Sequence, residues 1–194
     1  MIFMLVDLVS FFDRETIDDV MDTLHKTGVN RKAAKLWYKL NENTEIRVKT
    51  STGLTDTAMV GNVIGQGTAG AALVSQLNLD HGLHSYFEDS CDEIYYGDVR
   101  CEYFAYQDDI GKPSKGAREA QAANIKLAHM FQEKGLEAHP DKTCFIVFGS
   151  ENFKRKINEQ LNANPLQLGN FMVNRRVSDR YLGQFCTQME LRQV

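Results

Sequence analysis

Residues 106 to 109, Tyr-Gln-Asp-Asp, end the apolar and aromatic run RCEYFAY with two adjacent carboxylates. Neighbouring like charges repel, and burial raises the pKa of both. A solvated turn tip would explain the pair, and so would a divalent cation that neutralises it. Asp7 raises the same question at the end of another apolar run, IFMLV. Side chains alternate along a strand, so Asp108 and Asp109 share a direction only if the chain turns there. Such a turn would aim Asp108 at the end of a neighbouring strand, where Asp7 could sit. Carboxylates from different strands can hold two magnesium ions about 3.5–4 Å apart, the spacing used for in-line phosphoryl transfer. Magnesium takes oxygen ligands and keeps several waters, so few carboxylates suffice.

Strands and helices must place these groups. Residues 2 to 7 read as a β-strand ending in Asp7. Ile17, Val20, Met21 and Leu24 recur at helical spacing, with Thr16 and Asp19 able to cap the start and Gly28 to follow the end. The acidic residues of that helix, Asp18, Asp19 and Asp22, read as a solvated face. A second helix is expected from Asn30 to Leu40, with Ala33, Trp37 and Leu40 inward. TEIRVKTSTGLTDTAMV reads as a hairpin with Gly53 in its turn, followed by the glycine-rich GNVIGQGTAG and the helical AALVSQLNLDHGLHSYF. EIYYG and VRCEYFAY read as strands joined at Gly97-Asp98. A helix over SKGAREAQAANIKLAHMFQEKG has Ala120, Ala123, Leu127, Met130 and Phe131 on its inner stripe. The strand KTCFIVFG, the helix ENFKRKINEQLNA, a hairpin turning at Gly169-Asn170 and the strand DRYLGQF complete the chain. Mixed strands and helices with several hairpins imply an α+β fold with a mainly antiparallel sheet.

With 194 residues, 43% hydrophobic and 25% charged, the chain can bury the core of one ordinary globular domain. Its net charge of −4 argues against a nucleic-acid partner on composition alone. The basic residues are clustered, however: Arg31, Lys32, Lys35 and Lys39; Lys154, Arg155 and Lys156; Arg175, Arg176 and Arg180. These clusters read equally as solvated faces or as phosphate contacts. Cys91, Cys101, Cys144 and Cys186 form no C-x-x-C pair, which fits reduced thiols in an intracellular protein, cytoplasmic or nuclear. MIFMLV is too short to span a bilayer. His81 and His84 have helical i, i+3 spacing, but no Cys or further His stands near to complete a zinc site.

The segments VDLVSFFD, GQG, YQDD, GLEAHPDKTCFIVFG and DRYLG, in that order, resemble the palm of a reverse transcriptase. The match is closest to the non-LTR retrotransposon type, which reads D-L-x-x-x-F-D, x-Q-G, Y-x-D-D, G-L-x-x-x-x-x-K-T and Y-L-G. It runs from about Ile2 to Gln184. The resemblance implies that Asp7 and Asp108 are the main ligands of two Mg²⁺ ions, or Mn²⁺, with Asp109 in support. Phe12 stands where the family places a bulky gate beside the sugar of the incoming nucleotide, in the space a 2′-hydroxyl needs. Gln66 and Gly67 match the loop that contacts nucleotide and template, and also read as a turn capping the next helix. Lys142 matches a lysine able to protonate the leaving pyrophosphate, and reads equally as a surface lysine before a strand. Tyr181, Leu182 and Gly183 resemble the hairpin that holds the primer 3′ end, although Tyr181 could be structural.

Two departures are local: Gln107 stands where small or aliphatic residues are usual, and TAGAAL replaces the common S-P-x-x-F. The larger expectation concerns extent. Residues 1–194 would form a single palm-like domain lacking most of the fingers and the thumb of a longer polyprotein. The implied function is RNA-directed DNA polymerisation in a retroelement, with an RNA template, a DNA primer, dNTPs and no membrane, and with little activity in this fragment alone. The competing reading is a non-catalytic palm serving as a nucleic-acid-binding or structural module. A cyclase-type nucleotidyl transferase is disfavoured by the Q-G and Y-L-G segments.

Overall fold

In the computed structural model, residues 1–61, 64, 70–88, 94–181 and 184–187 are described. The chain begins with β1 (Ile2–Asp7), α1 (Phe11–Arg14), α2 (Ile17–Lys26), α3 (Arg31–Asn41), β2 (Thr44–Ile46), β3 (Lys49–Thr50), β4 (Gly53–Leu54), β5 (Ala58–Val60) and α4 (Ala71–Phe87). It continues with β6 (Tyr95–Tyr96), β7 (Val99–Arg100), β8 (Phe104–Tyr106), β9 (Asp109–Ser114), α5 (Ala117–Lys134) and β10 (Cys144–Val147). The last elements are α6 (Glu151–Ala163), β11 (Gln167–Leu168), β12 (Phe171–Met172), β13 (Asn174–Arg175), β14 (Ser178–Tyr181) and β15 (Gln184–Thr187). The expected α+β class is observed, with a mainly antiparallel sheet and, among the described residues, six helices. Backbone proximity divides the chain into two compact units, one of Met1–Val9 with Leu79–Val194 and one of Ser10–Asn78.

The first unit is built on a five-stranded sheet of order β13-β10-β1-β9-β8. β1 pairs antiparallel with β10 on one side and β9 on the other. Alternation sends Phe3, Leu5 and Asp7 to one face and the buried Ile2, Met4 and Val6 to the other. Leu5 packs with Cys144 and Ile146, and Phe3 and Phe148 close over that cluster. The opposite face carries the helices. α5 packs on β1 and β9, burying the expected stripe of Ala120, Ala123, Leu127, Met130 and Phe131 together with Asn124. Truncating the fully buried Leu127 to Ala would cost about 2–5 kcal/mol. Gly82 lets α4 approach α5: a Cβ there would meet Met130 Sδ at 3.3 Å.

β9 was not expected, because DIGKPS contains Gly, Lys and Pro. Pro113 is tolerated because β8 reaches only as far as Gly111, so a missing N–H at Pro113 breaks no pairing on that side. Its carbonyl accepts a 2.9 Å hydrogen bond from Lys112 Nζ. That ammonium also lies 5.1 Å from the centre of the Phe87 ring of α4, which makes burial of the lysine tolerable.

In the second unit, Thr16 caps α2 as expected. Its hydroxyl donates to the Asp19 carboxylate at 2.6 Å and accepts from the Asp19 N–H at 3.1 Å, a cap worth about 1 kcal/mol. Asn30 caps α3. The inner face of α3 is Ala34, Trp37, Tyr38 and Asn41, whereas the expected Ala33 and Leu40 are exposed. The frame is shifted by one residue because Ala34 packs into a core of Val20, Leu24, Ile64, Ala71 and Val74. A buried polar chain joins the unit's ends: the Thr23 hydroxyl donates to Asn78 Oδ1, and Asn78 Nδ2 donates to Glu15 Oε1, both at 2.8 Å. The expected hairpin forms as β2–β5 and β3–β4 pairs, with Gly53 opening the return strand at φ 131°.

Candidate active site

Three backbone devices converge on Asp7. The first is the hairpin between β8 and β9, whose two-residue turn is Gln107-Asp108, flanked by the Tyr106–Asp109 pair. The turn anticipated at the paired aspartates therefore exists, and the chain returns directly as a strand carrying Asp109. Gln107 has φ 54°, the left-handed sign that such turns require at their first central residue and usually give to glycine. A non-glycine residue there stores about 1–3 kcal/mol. The second device is register: Asp7 of β1 lies directly opposite Asp109 of β9, which brings their Cβ atoms to about 4.5–5.5 Å. The Leu8 N–H donates to the Asp108 carbonyl at 3.0 Å and pins the turn to the end of β1.

The third device is a turn at His139-Pro140-Asp141-Lys142. The His139 N–H donates to the Asp7 carbonyl at 2.8 Å, while the His139 carbonyl accepts from the Lys142 N–H at 3.3 Å. Proline at the second position presets this turn. Lys142 Nζ consequently stands 3.3 and 3.4 Å from the two Asp7 carboxylate oxygens. Of the two sequence readings of Lys142, the plain surface lysine omits this contact. The HPDK tetrapeptide, with proline in second place, was the signal that could have revealed it.

The electrostatics follow from this crowding. Burial, then the charges of Asp108 and Asp7, hold the Asp109 carboxyl above its ordinary value, and the Lys142 ammonium opposes the rise. Asp7 is still 23% exposed at its side chain, and Lys142 is 60% exposed, so the cluster is open to a ligand. Among the described residues, no three His, Cys, Asp or Glu side chains close around a common point. The donor set is therefore no enclosed cage. It fits a hard divalent ion that binds through one or two carboxylates and keeps its other ligands as water or phosphate.

Phe12 lies on α1 in the second unit; it is half-buried against that unit's core, 5.4 Å from the ring of the buried Phe11. Gln66, Gly67, Leu182 and Gly183 lie outside the described residues. Tyr181 ends β14, opposite Gln184. His84 of α4 stands 3.9 Å from Glu88 as an exposed i, i+4 pair.

A mainly antiparallel sheet with helices on one face, and opposed carboxylates where its central strands end, makes this a reverse-transcriptase-like polymerase fold. The chain belongs to the reverse transcriptase (RNA-dependent DNA polymerase) family, whose profile matches residues 1–184. Among solved structures its fold is similar to that of telomerase from Candida albicans, solved in complex with a TWJ fragment of telomeric RNA. The TM-score is 0.50 at 13% sequence identity, over 75% of this chain and 27% of that one. The chain thus spans little more than a quarter of the telomerase chain's length. No curated protein matches it in sequence. Among the described residues, no helix is long and apolar enough to cross a membrane.

Proposed function

We propose that this chain carries the catalytic palm of an RNA-directed DNA polymerase of the non-LTR retroelement type, joining deoxynucleotides to a primer 3′-hydroxyl on an RNA template. The observation that supports it is the opposed Asp7–Asp109 pair, with Asp108 in the adjoining turn and Lys142 Nζ 3.3 Å from Asp7. Asp7 and Asp108 would hold Mg²⁺ or Mn²⁺, with Asp109 in support. Divalent ions bound there would activate the 3′-hydroxyl and neutralise charge on the transferring phosphoryl group. Lys142 has the chemistry to give a proton to departing pyrophosphate. Phe12 would exclude a 2′-hydroxyl, while Gln66, Gly67, Tyr181, Leu182 and Gly183 would contact nucleotide, template or primer. Free Cys101 and Cys144 suit a reducing, intracellular setting.

The test is extension of a DNA primer on an RNA template with Mg²⁺ and all four deoxynucleotides. Metal-assisted charge stabilisation is worth several kcal/mol, so Asp108→Asn should lower extension by about 10³-fold or more with the circular dichroism spectrum unchanged. Equal extension by both proteins would remove the assignment. One observation favours a second reading, a palm retained as a non-catalytic module: the Asp7 carboxylate is already partnered by Lys142. No extension by the parent protein, with no Mg²⁺-dependent change in its melting temperature, would select that reading.

A further inference from the structure

The exposed face of α3 carries a second concentration of like charge. Arg31, Lys32, Lys35 and Lys39 are all exposed, as are Leu36 and Leu40 at 61% and 69%. Arg31, Lys35 and Lys39 form one row at four-residue spacing, and Lys32, Leu36 and Leu40 form the row beside it. Lys39 pairs with Glu42. Among the described residues, Arg31, Lys32 and Lys35 have no ion-pair partner.

Helix stability does not call for this arrangement. Cations in the first turn face the positive end of the helix dipole, and like charges four residues apart repel. The first turn of α3 contains no acidic residue. α2, in the same unit, is built the other way, with Asp18 and Asp19 in its first turn, Lys26 in its last, and Lys26 bonded to Asp22 at 2.6 Å. One helix obeys the local charge rules and the next breaks them on its solvent face. A local rule broken without a local gain marks a surface shaped for something else.

We propose that α3 binds the sugar–phosphate backbone of a nucleic acid. At 1.5 Å per residue the row from Arg31 to Lys39 is about 12 Å long, which matches three to four phosphates at about 3.4 Å of axial rise each. Arg31 can take one phosphate bidentately, and the lysines act as point charges. Leu36 and Leu40 offer apolar surface to the sugars. Contacts of this kind position a strand and read no sequence. The surface belongs to the unit of Ser10–Asn78, which contains none of Asp7, Asp108 and Asp109. Loss of polymerase activity would therefore leave this binding intact.

The experiment is fluorescence anisotropy with labelled single-stranded RNA and an RNA–DNA hybrid of mixed sequence, from 50 to 200 mM KCl. The triple variant Arg31→Gln, Lys32→Gln, Lys35→Gln should bind about 10–100-fold more weakly at 50 mM, with a salt slope smaller by about 2–3. Lys35→Gln alone should lower the slope by about 1, which guards against a triple variant that misfolds. A control with the same change in net charge, Lys154→Gln, Arg155→Gln, Lys156→Gln on α6, should stay within about threefold of the parent. Equal loss in both triple variants would assign the effect to net charge and overturn the proposal. It is overturned equally by a parent protein that binds neither probe. Binding of phosphatidylserine vesicles through α3, with nucleic-acid affinity unchanged in the α3 variants, would also overturn it.

Discussion

The two concentrations of like charge in this chain are built in opposite ways. Asp7, Asp108 and Asp109 ride on paired strands and a two-residue turn, partly withdrawn from water. Arg31, Lys32, Lys35 and Lys39 extend from an exposed helix into solvent. Two unit charges 4 Å apart interact by about 1 kcal/mol in bulk water and about four times that near a protein surface. The register and the turn hold the carboxyl-bearing residues as neighbours, so a compact counter-charge would relieve their repulsion best. The lysines and the arginine repel weakly and can follow an extended polyanion. Burial and backbone rigidity, more than the number of charges, decide which kind of counter-charge each cluster suits.

The comparison breaks most visibly at Lys142, whose ammonium pairs with Asp7 in the acidic cluster. Lys142→Met should lower primer extension by about 100-fold if the ammonium supplies a proton in the transition state. It should also raise the Asp109 titration midpoint, since Lys142 holds that carboxyl down. Carboxyl-carbon NMR reads the midpoint, and an unmoved midpoint would take Lys142 out of the cluster.

A smaller effect is expected at Asp109 itself. Its folded carboxyl is held above 3.8, so between 3.8 and the raised value the native state binds the proton more tightly than the unfolded chain does. Stability is lost as pH rises through that window, and at neutral pH the charged group is a net cost. Asp109→Asn should raise stability at pH 7 by up to about 1 kcal/mol, or about 2–4 °C in melting temperature, with the gain gone near pH 3. Mg²⁺ should raise the melting temperature of the parent more than that of the variant. Calorimetry at both pH values would expose the reverse order.

The smallest stability effect belongs to the exposed cluster. Lys35→Glu replaces two repulsive i, i+4 pairs, with Arg31 and Lys39, by attractive ones. It should stabilise the protein by about 0.5 kcal/mol, or about 1–2 °C, while nucleic-acid binding falls. A gain as large as that of Asp109→Asn would mean that burial does not separate the two clusters.

Much of this was legible from residue order. β1 ending at Asp7, the Thr16 cap, the buried stripe of α5 and the glycine turn at Gly169 were all visible, because short-range periodicity and capping chemistry determine them. What escaped depended on distant partners. β9 carries no strand signal of its own, because its Pro113 is tolerated only where β8 stops short of it and its buried Lys112 only against the Phe87 ring. The inner face of α3 was misjudged by one residue, since Ala33 and Ala34 are equivalent by type and only the core against Ala34 separates them. Within the candidate site, the carboxylates were singled out by residue type and strand-end position, and Lys142 only by the resemblance. The supporting place of Asp109 came from the resemblance, and only the register shows it opposite Asp7.

The strand order carries a consequence for biosynthesis. β1 is central to the sheet, yet its partners β9 and β10 begin at Asp109 and Cys144. At ribosomal rates of about 5–20 residues per second, the stretch from β1 to β9 takes roughly 5–20 s to appear. Throughout that interval Ile2 to Val6, an uncharged run with strong β character, has neither neighbour to pair with. Such a segment is a template for intermolecular strand addition. The nascent chain should therefore depend on a holding chaperone over that interval, and slower translation between the codons of Asp7 and Asp109 should increase aggregation.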